Sequence, residues 1–326
     1  MNLVFFDMEG PLSVQDNAYE LMKLFPHGGT VFEVVSRYDD LLALEGREGY
    51  EPGDTLALIV PFLVYHGIKE EDIERLADRA AIVNGAGELI QALTDWHVFC
   101  ISTSYEQYAR RIAQRVGIDW DNLACTTFAV SRYQQMARQD DFAMIRDAEH
   151  EIIEMKAGDD EGMKKRLDRF FWVDLPGTSL GRALQEVKPT GGRRKTSALR
   201  GFAETLGASL EQVVAIGDSI TDARMLEAVD GAGGMAVAFN GNEYCLPYAT
   251  IGLASTSIAD LEPVLAVWRK GGRDAVKELV RSKEKTAGQG DRCNFHWLAG
   301  RRDLDEPLTI HKRTRRIVRA EAGLLG

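Results

Sequence analysis

Leu3-Val4-Phe5-Phe6 is an unbroken apolar run that stops at once in Asp7-Met8-Glu9-Gly10-Pro11. The run reads as a short buried strand, and the Gly-Pro pair breaks it. Residues i and i+2 of an extended chain point the same way, so Asp7 and Glu9 can converge on one point in space. In open α/β sheets the ligand crevice is built from the loops at the carboxyl ends of the strands. An acidic pair placed there suits a nucleophile with an acid–base partner, and it also suits a metal ion. An Asp after a strand is equally an ordinary turn former or helix cap, so the pair takes its meaning from the rest of the chain.

The same pattern returns further on. His97 to Ile101 is a second buried strand that ends in Ser102-Thr103-Ser104, with Ser104 placed to cap a helix over 105–116. Trp120 to Thr127 holds a third strand. Val213-Val214-Ala215-Ile216 runs into Gly217-Asp218-Ser219-Ile220-Thr221-Asp222, so a buried strand again delivers two carboxylates to its carboxyl end. Ala236 to Asn240 and Ile251 to Ala254 read as further strands, the last at the sheet edge. Helical spacing fills 87–94, 191–206, 223–229 and 258–280. Strands alternating with helices predict an α/β fold with a Rossmann-like parallel sheet.

Two segments interrupt that pattern. Residues 12–86 carry helical periodicity and no convincing strand, which predicts an inserted all-helical module. Residues 131–184 are polar and helix-rich, with acidic clusters and one apolar patch, Phe170-Phe171-Trp172-Val173. They read as a second helical insertion mounted on the surface. The core is then 1–11 together with 87–285. The tail, 286–326, loses clear periodicity and receives no role.

The chain has 326 residues, enough for a core with insertions, and its 45% hydrophobic and 27% charged content suits a soluble globular protein. A net charge of −11 argues against a general nucleic-acid binder. One basic run, His311-Lys312-Arg313-Thr314-Arg315-Arg316, is a candidate contact for nucleic acid or anionic lipid, but in an acidic chain it reads as an exposed helix face. The cysteines are scattered, which fits reduced thiols, and Cys293 with His296 makes only half of a metal site. No signal peptide or membrane-spanning run is evident, so the cytoplasm is the expected compartment. No glycine-rich dinucleotide fingerprint follows the first strand, which disfavours a dehydrogenase.

Taken in order, FFDMEGP, VFCISTS, RRKTSALRGFAETLG and VVAIGDSITDARML resemble the motifs of the haloacid dehalogenase superfamily. The stretch from Lys195 to Asn240 and the helical insertion after the first motif are similar to its phosphoserine phosphatase branch. The resemblance implies a phosphatase acting on a small phosphorylated metabolite through an aspartyl-phosphate. Asp7 would be the nucleophile, Glu9 the acid–base, and Lys195 the counter-charge. Ser102 and Thr103, with Lys195, would hold the phosphoryl group. Asp7, the Met8 backbone carbonyl, Asp218 and Asp222 would hold Mg²⁺. The all-helical module 12–86 would be that branch's cap and act as a lid, with Glu20, Arg37 and Arg47 as candidate substrate contacts. Three positions depart from the family pattern: Glu9 replaces the usual Asp, Pro11 a Thr or Val, and Thr221 an Asn. The longer Glu9 motivates an alternative, a non-catalytic or regulatory protein that binds a phosphorylated ligand or partner. A phosphotransferase using the same intermediate is a third reading. No nucleic-acid or membrane partner is expected.

Overall fold

The computed structural model describes residues 2–155, 158–286 and 292–323. Positions 156–157 of the second insertion, and 287–291 and 324–326 of the tail, lie outside the described residues. Among the described residues, seven strands form one sheet: β1 (Leu3–Phe6), β2 (His97–Tyr105), β3 (Leu123–Thr126), β4 (Val213–Gly217), β5 (Met235–Phe239), β6 (Ile251–Ser255) and β7 (Cys293–Trp297). Their order is β3-β2-β1-β4-β5-β6-β7, parallel except for β7, which pairs antiparallel with β6. This is the Rossmann-like α/β fold that the alternating pattern predicts.

The apolar runs make the sheet's interior because both faces are covered. Val4 and Phe6 of β1 pack on one face and Leu3 and Phe5 on the other, and β4 splits in the same way. This is the usual state of parallel strands. β1 lies between β2 and β4, where the chain order reverses. Such a reversal opens a crevice beyond the strand ends. Register then decides what enters it. Phe6 pairs with Ile216, and the Asp7 N–H donates to the Ile216 carbonyl at 2.8 Å. Asp7 therefore leaves the sheet beside Gly217-Asp218.

Residues 12–86 carry the helices Asn17–Met22, Gly28–Leu44, Thr55–Leu58, Val60–Tyr65 and Glu70–Arg79. The second insertion does not merely sit on the surface. Its helices Val130–Met136, Gln139–Ile153 and Asp160–Arg169 pack on those of the cap. Phe170 and Phe171, in a π-helical turn, are buried against Phe62 and Tyr38. Hydrophobic burial accounts for this: the aromatic patch finds its cover on the cap and continues one core. Polar contacts reinforce the join. The Tyr38 hydroxyl donates to Asp168 at 2.6 Å and accepts from the Trp172 indole N–H at 2.8 Å.

The tail also has a structural role, against the expectation of an unassigned segment. β7 covers β6, so Ile251–Ser255 is not the edge strand. The helix Asp305–Gly323 packs on β6. His311 on that helix is fully buried, and its Nδ1 accepts the Gly241 N–H at 2.8 Å. A Cβ on Gly252 would come within 2.7 Å of His311 Nε2, so the bare glycine lets the helix approach the strand. Of the basic run, His311 and Thr314 face inward, so it is not simply an exposed face.

Burial holds both tail histidines neutral. His296 is pushed down to about 4, and His311 falls well below its ordinary range, with His296 and Arg315 adding to the effect. Their folded values lie below the unfolded value, so the unfolded chain binds more protons in acid. Their stabilisation is present above about pH 6.5 and is lost as pH falls. His296 alone is expected to cost about 2 kcal/mol of stability by pH 5. Denaturant unfolding at pH 7.5 and pH 5 checks this: the loss should shrink in His296→Gln, and an unchanged loss contradicts the assignment.

Candidate active site

The ends of β1 and β4 and the start of the helix Arg193–Thr205 bring Asp7, Asp218, Asp222 and Lys195 together. One carboxylate oxygen from each of the three aspartates lies within 4.8 Å of the others, and all three side chains are buried. Among the described residues this is the group of side chains placed to hold a metal ion; Cys293 and His296 build none. Lys195 is 0% exposed, and its Nζ lies 2.6 Å from Asp7 Oδ1 and 2.7 Å from Asp222 Oδ1. Burial works against the ammonium, but Asp222 and Asp7 outweigh it and raise its pKa. Burial and then Asp222 push the Asp7 carboxyl up, while Lys195 pulls it back.

The oxygens divide into committed and free. Asp222 Oδ2 accepts the N–H groups of Asp218 (3.0 Å) and Ser219 (3.1 Å), and its Oδ1 takes Lys195. Asp222 belongs to the cluster but is occupied in holding the loop and the ammonium. Asp7 Oδ1 accepts from Met8 N at 2.7 Å and from Lys195. Asp218 Oδ2 accepts from Arg315 Nη2 at 2.5 Å. Among the described residues, Asp7 Oδ2 and Asp218 Oδ1 carry no hydrogen bond. Hard, buried, unpaired carboxylate oxygens suit Mg²⁺. The Met8 carbonyl does not meet expectation: it accepts from Leu12 N (2.9 Å) and Ser13 N (2.8 Å), so both lone pairs serve the turn. Gly10 makes that turn at φ +92°, and a Cβ there would lie 2.4 Å from Asp218 Oδ2.

Glu9 stands across from this cluster. Its Oε1 takes every bond it makes, from Asn17 N (3.1 Å), Asn17 Nδ2 and Ser104 Oγ (2.9 Å). Burial, then the neighbouring Asp16, raises its pKa to about 7. Ser104 is thus not the helix cap that the sequence suggests. β2 runs on to Tyr105, which takes the cap position, and Ser104 positions Glu9 instead. Thr103 lines the cavity over Asp7 and donates to the Thr190 carbonyl at 3.2 Å. Ser102 does not line it: the side chain is fully buried and its Oγ accepts the Ser104 N–H at 3.0 Å.

That cavity has a volume of about 250 Å³, with Asp7, Glu9 and Asp218 on the core side and Phe32, Asp39 and Thr55 on the cap side. The expected cap contacts do not reach it. Glu20 pairs with Lys23 at 2.9 Å, Arg37 with Asp160 at 2.5 Å and Arg47 with Asp168 at 3.1 Å. Arg37 and Arg47 tie the cap to the second insertion. Arg315 and Arg319, from the helix Asp305–Gly323, line the cavity instead. Sequence reasoning did not find them, nor Asn17. The basic run was the signal for Arg315, and helical phase could not say which of its side chains turned inward.

A buried acidic cluster, a central lysine and an inserted helical module thus meet at the switch point of a Rossmann-like sheet. The model of the haloacid dehalogenase-like hydrolases matches residues 68–256, and the chain belongs to that family. Among solved structures, gene product AF1437 from Archaeoglobus fulgidus is 32% identical, with 100% of this chain and 99% of that chain covered and a TM-score of 0.84. A phospho-aspartyl intermediate analogue of phosphoserine phosphatase is 18% identical over 80% of this chain and 97% of that one, TM-score 0.52. A probable phosphoserine phosphatase from Vibrio cholerae is 16% identical over 85% and 66%, TM-score 0.51. The last two show a shared fold. No curated protein matches the chain. Among the described residues, no helix is long and apolar enough to cross a membrane.

Lys195→Met leaves Asp7 and Asp222 buried without their counter-charge. Breaking a buried pair in this way typically costs about 3–5 kcal/mol. Urea unfolding in the presence of EDTA should show a loss in that range, and a loss under 1 kcal/mol would mean that the ammonium is not what holds the cluster.

Proposed function

We propose that this chain is a Mg²⁺-dependent phosphatase that hydrolyses a small phosphorylated metabolite through an aspartyl-phosphate on Asp7. The observation that carries the reading is the free Oδ2 on Asp7, whose Oδ1 holds Lys195, in a carboxylate cluster with Asp218, which keeps a free Oδ1. A bare phosphate dianion would be repelled from these carboxylates, so the site needs added positive charge. Asp7 and Asp218 would hold Mg²⁺, which when bound supplies charge neutralisation for the phosphoryl oxygens.

The chain's own residues account for the proton and bond changes. Asp7 Oδ2 attacks phosphorus as the bond to the leaving oxygen breaks. Lys195 stays against Asp7 and offsets the charge that builds there. Glu9, with Oε2 unbonded and a pKa near 7, gives its proton to the leaving alcohol. It then takes a proton from water, which attacks phosphorus, breaks the bond to Asp7 and releases inorganic phosphate. Asn17 and Ser104 fix Oε1, which sets the reach of the longer Glu side chain. This arrangement favours the catalytic reading over a purely binding role. The phospho-aspartyl analogue of the structurally similar phosphoserine phosphatase supports the intermediate.

Hydrolysis of p-nitrophenyl phosphate with MgCl₂ tests the reading. Asp7→Asn should abolish turnover, and Glu9→Gln should lower kcat by about 10²–10⁴-fold. A folded wild type without turnover, or full activity in Asp7→Asn, contradicts it. Cation binding has a separate readout. At about 100 times its Kd, MgCl₂ should stabilise the wild type by about 2.7 kcal/mol, and Asp218→Asn should lose that stabilisation.

A further inference from the structure

The helix Asp305–Gly323 lies beyond residues 68–256, where the family model matches, yet it reaches into the cavity over Asp7. Arg315 and Arg319 stand four residues apart, about 6 Å along the helix axis. Like charges at that spacing destabilise a helix. Arg315 is partly repaid by Asp218, through Nη2 at 2.5 Å to the carboxylate and Nη1 at 3.4 Å to the backbone carbonyl. Among the described residues Arg319 has no bonded partner, although it is exposed along the cavity wall in the field of Asp218, Asp16 and Glu9.

The acids nearby do not claim it. Asp39 is taken by the Tyr50 hydroxyl at 2.5 Å and the N–H groups of Gly53 and Thr55. Asp16 caps a cap helix by accepting Tyr19 N at 3.0 Å, and Glu9 is held by Asn17 and Ser104. Of the carboxylates lining the cavity, Asp40 is the one with no hydrogen bond or ion pair among the described residues. A planar guanidinium with free N–H groups matches a carboxylate or phosphate in a two-pronged fashion.

We propose that Arg319, with Arg315 beside it, forms a second anion subsite, so that the substrate is a small organic phosphate bearing another carboxylate or phosphate group. This rests on the phosphatase reading above. One end of the molecule lies at Asp7 and Asp218. The other end lies a helical turn away at Arg319, and the cavity of about 250 Å³ limits the substrate to a few carbons between them.

Inert three-carbon ligands test the subsite without turnover. Calorimetry compares propylphosphonate with 3-phosphonopropionate and with propane-1,3-bisphosphonate, in buffer containing magnesium. The wild type should bind at least one of the doubly anionic ligands roughly tenfold or more tightly than propylphosphonate. Whichever ligand gains identifies the second group as carboxylate or phosphate. That preference should collapse in Arg319→Ala, invert in Arg319→Glu and return in part in Arg319→Lys. A wild type without the preference, or an Arg319→Ala variant that keeps it, overturns the proposal. Absent hydrolysis of p-nitrophenyl phosphate would instead count against the phosphatase reading.

Discussion

The site depends on one buried ammonium. Lys195 sits between Asp7 and Asp222 with no exposure to solvent, and it makes possible a cluster that would otherwise repel itself. Two unit charges 4.8 Å apart interact by roughly 3.5 kcal/mol at an effective dielectric near 20. Three carboxylates at such spacing need charge of the opposite sign. Lys195 supplies it from below, and Arg315 supplies it from the helix Asp305–Gly323. The sheet makes the cluster unavoidable, because β1 and β4 pair in a register that ends both strands at one level.

The same positive groups connect the core to its cover. Arg193 and Arg194 precede Lys195 on one helix. Arg193 pairs with Glu51 at 2.5 Å, and Arg194 grips Asp54 with one guanidinium nitrogen at 3.2 Å. Glu51 and Asp54 belong to the cap loop over the cavity, where Gly53 packs against Thr103 and Thr221. The helix that carries Lys195 to Asp7 therefore also anchors the loop over the cavity. Arg193 is exposed, but Glu51 and Asp54 are buried and Arg194 is largely covered, so these pairs are more than surface bridges.

Much of this could be read from residues alone, for a definite reason. Strands buried on both faces leave continuous apolar runs, and the ends of those runs marked Asp7 and Asp218, whereas Lys195, at a helix start, took its role from the resemblance of its motif. Contacts made by exposed-looking helices leave no such trace. Arg315 sits in a basic run that resembles a solvated face, and only the docking of His311 against Gly252 turns it toward Asp218. Ser104 looked like a cap because β2 continues past the expected break to Tyr105. The Met8 carbonyl looked available because nothing in the sequence shows that Leu12 and Ser13 fold back onto it. Phe170 and Phe171 were visible as a patch, but their cover on the cap was not.

The central claim is that acidic groups far apart in sequence meet so that Asp7 is free to attack phosphorus. A crystal structure grown with Mg²⁺ and BeF₃⁻ tests it most directly. The account predicts beryllium bonded to Asp7 Oδ2, the cation shared by Asp7 and Asp218, and Lys195 still against Asp7. Beryllium fluoride elsewhere, or a cation that leaves Asp7 and Asp218 untouched, would contradict it.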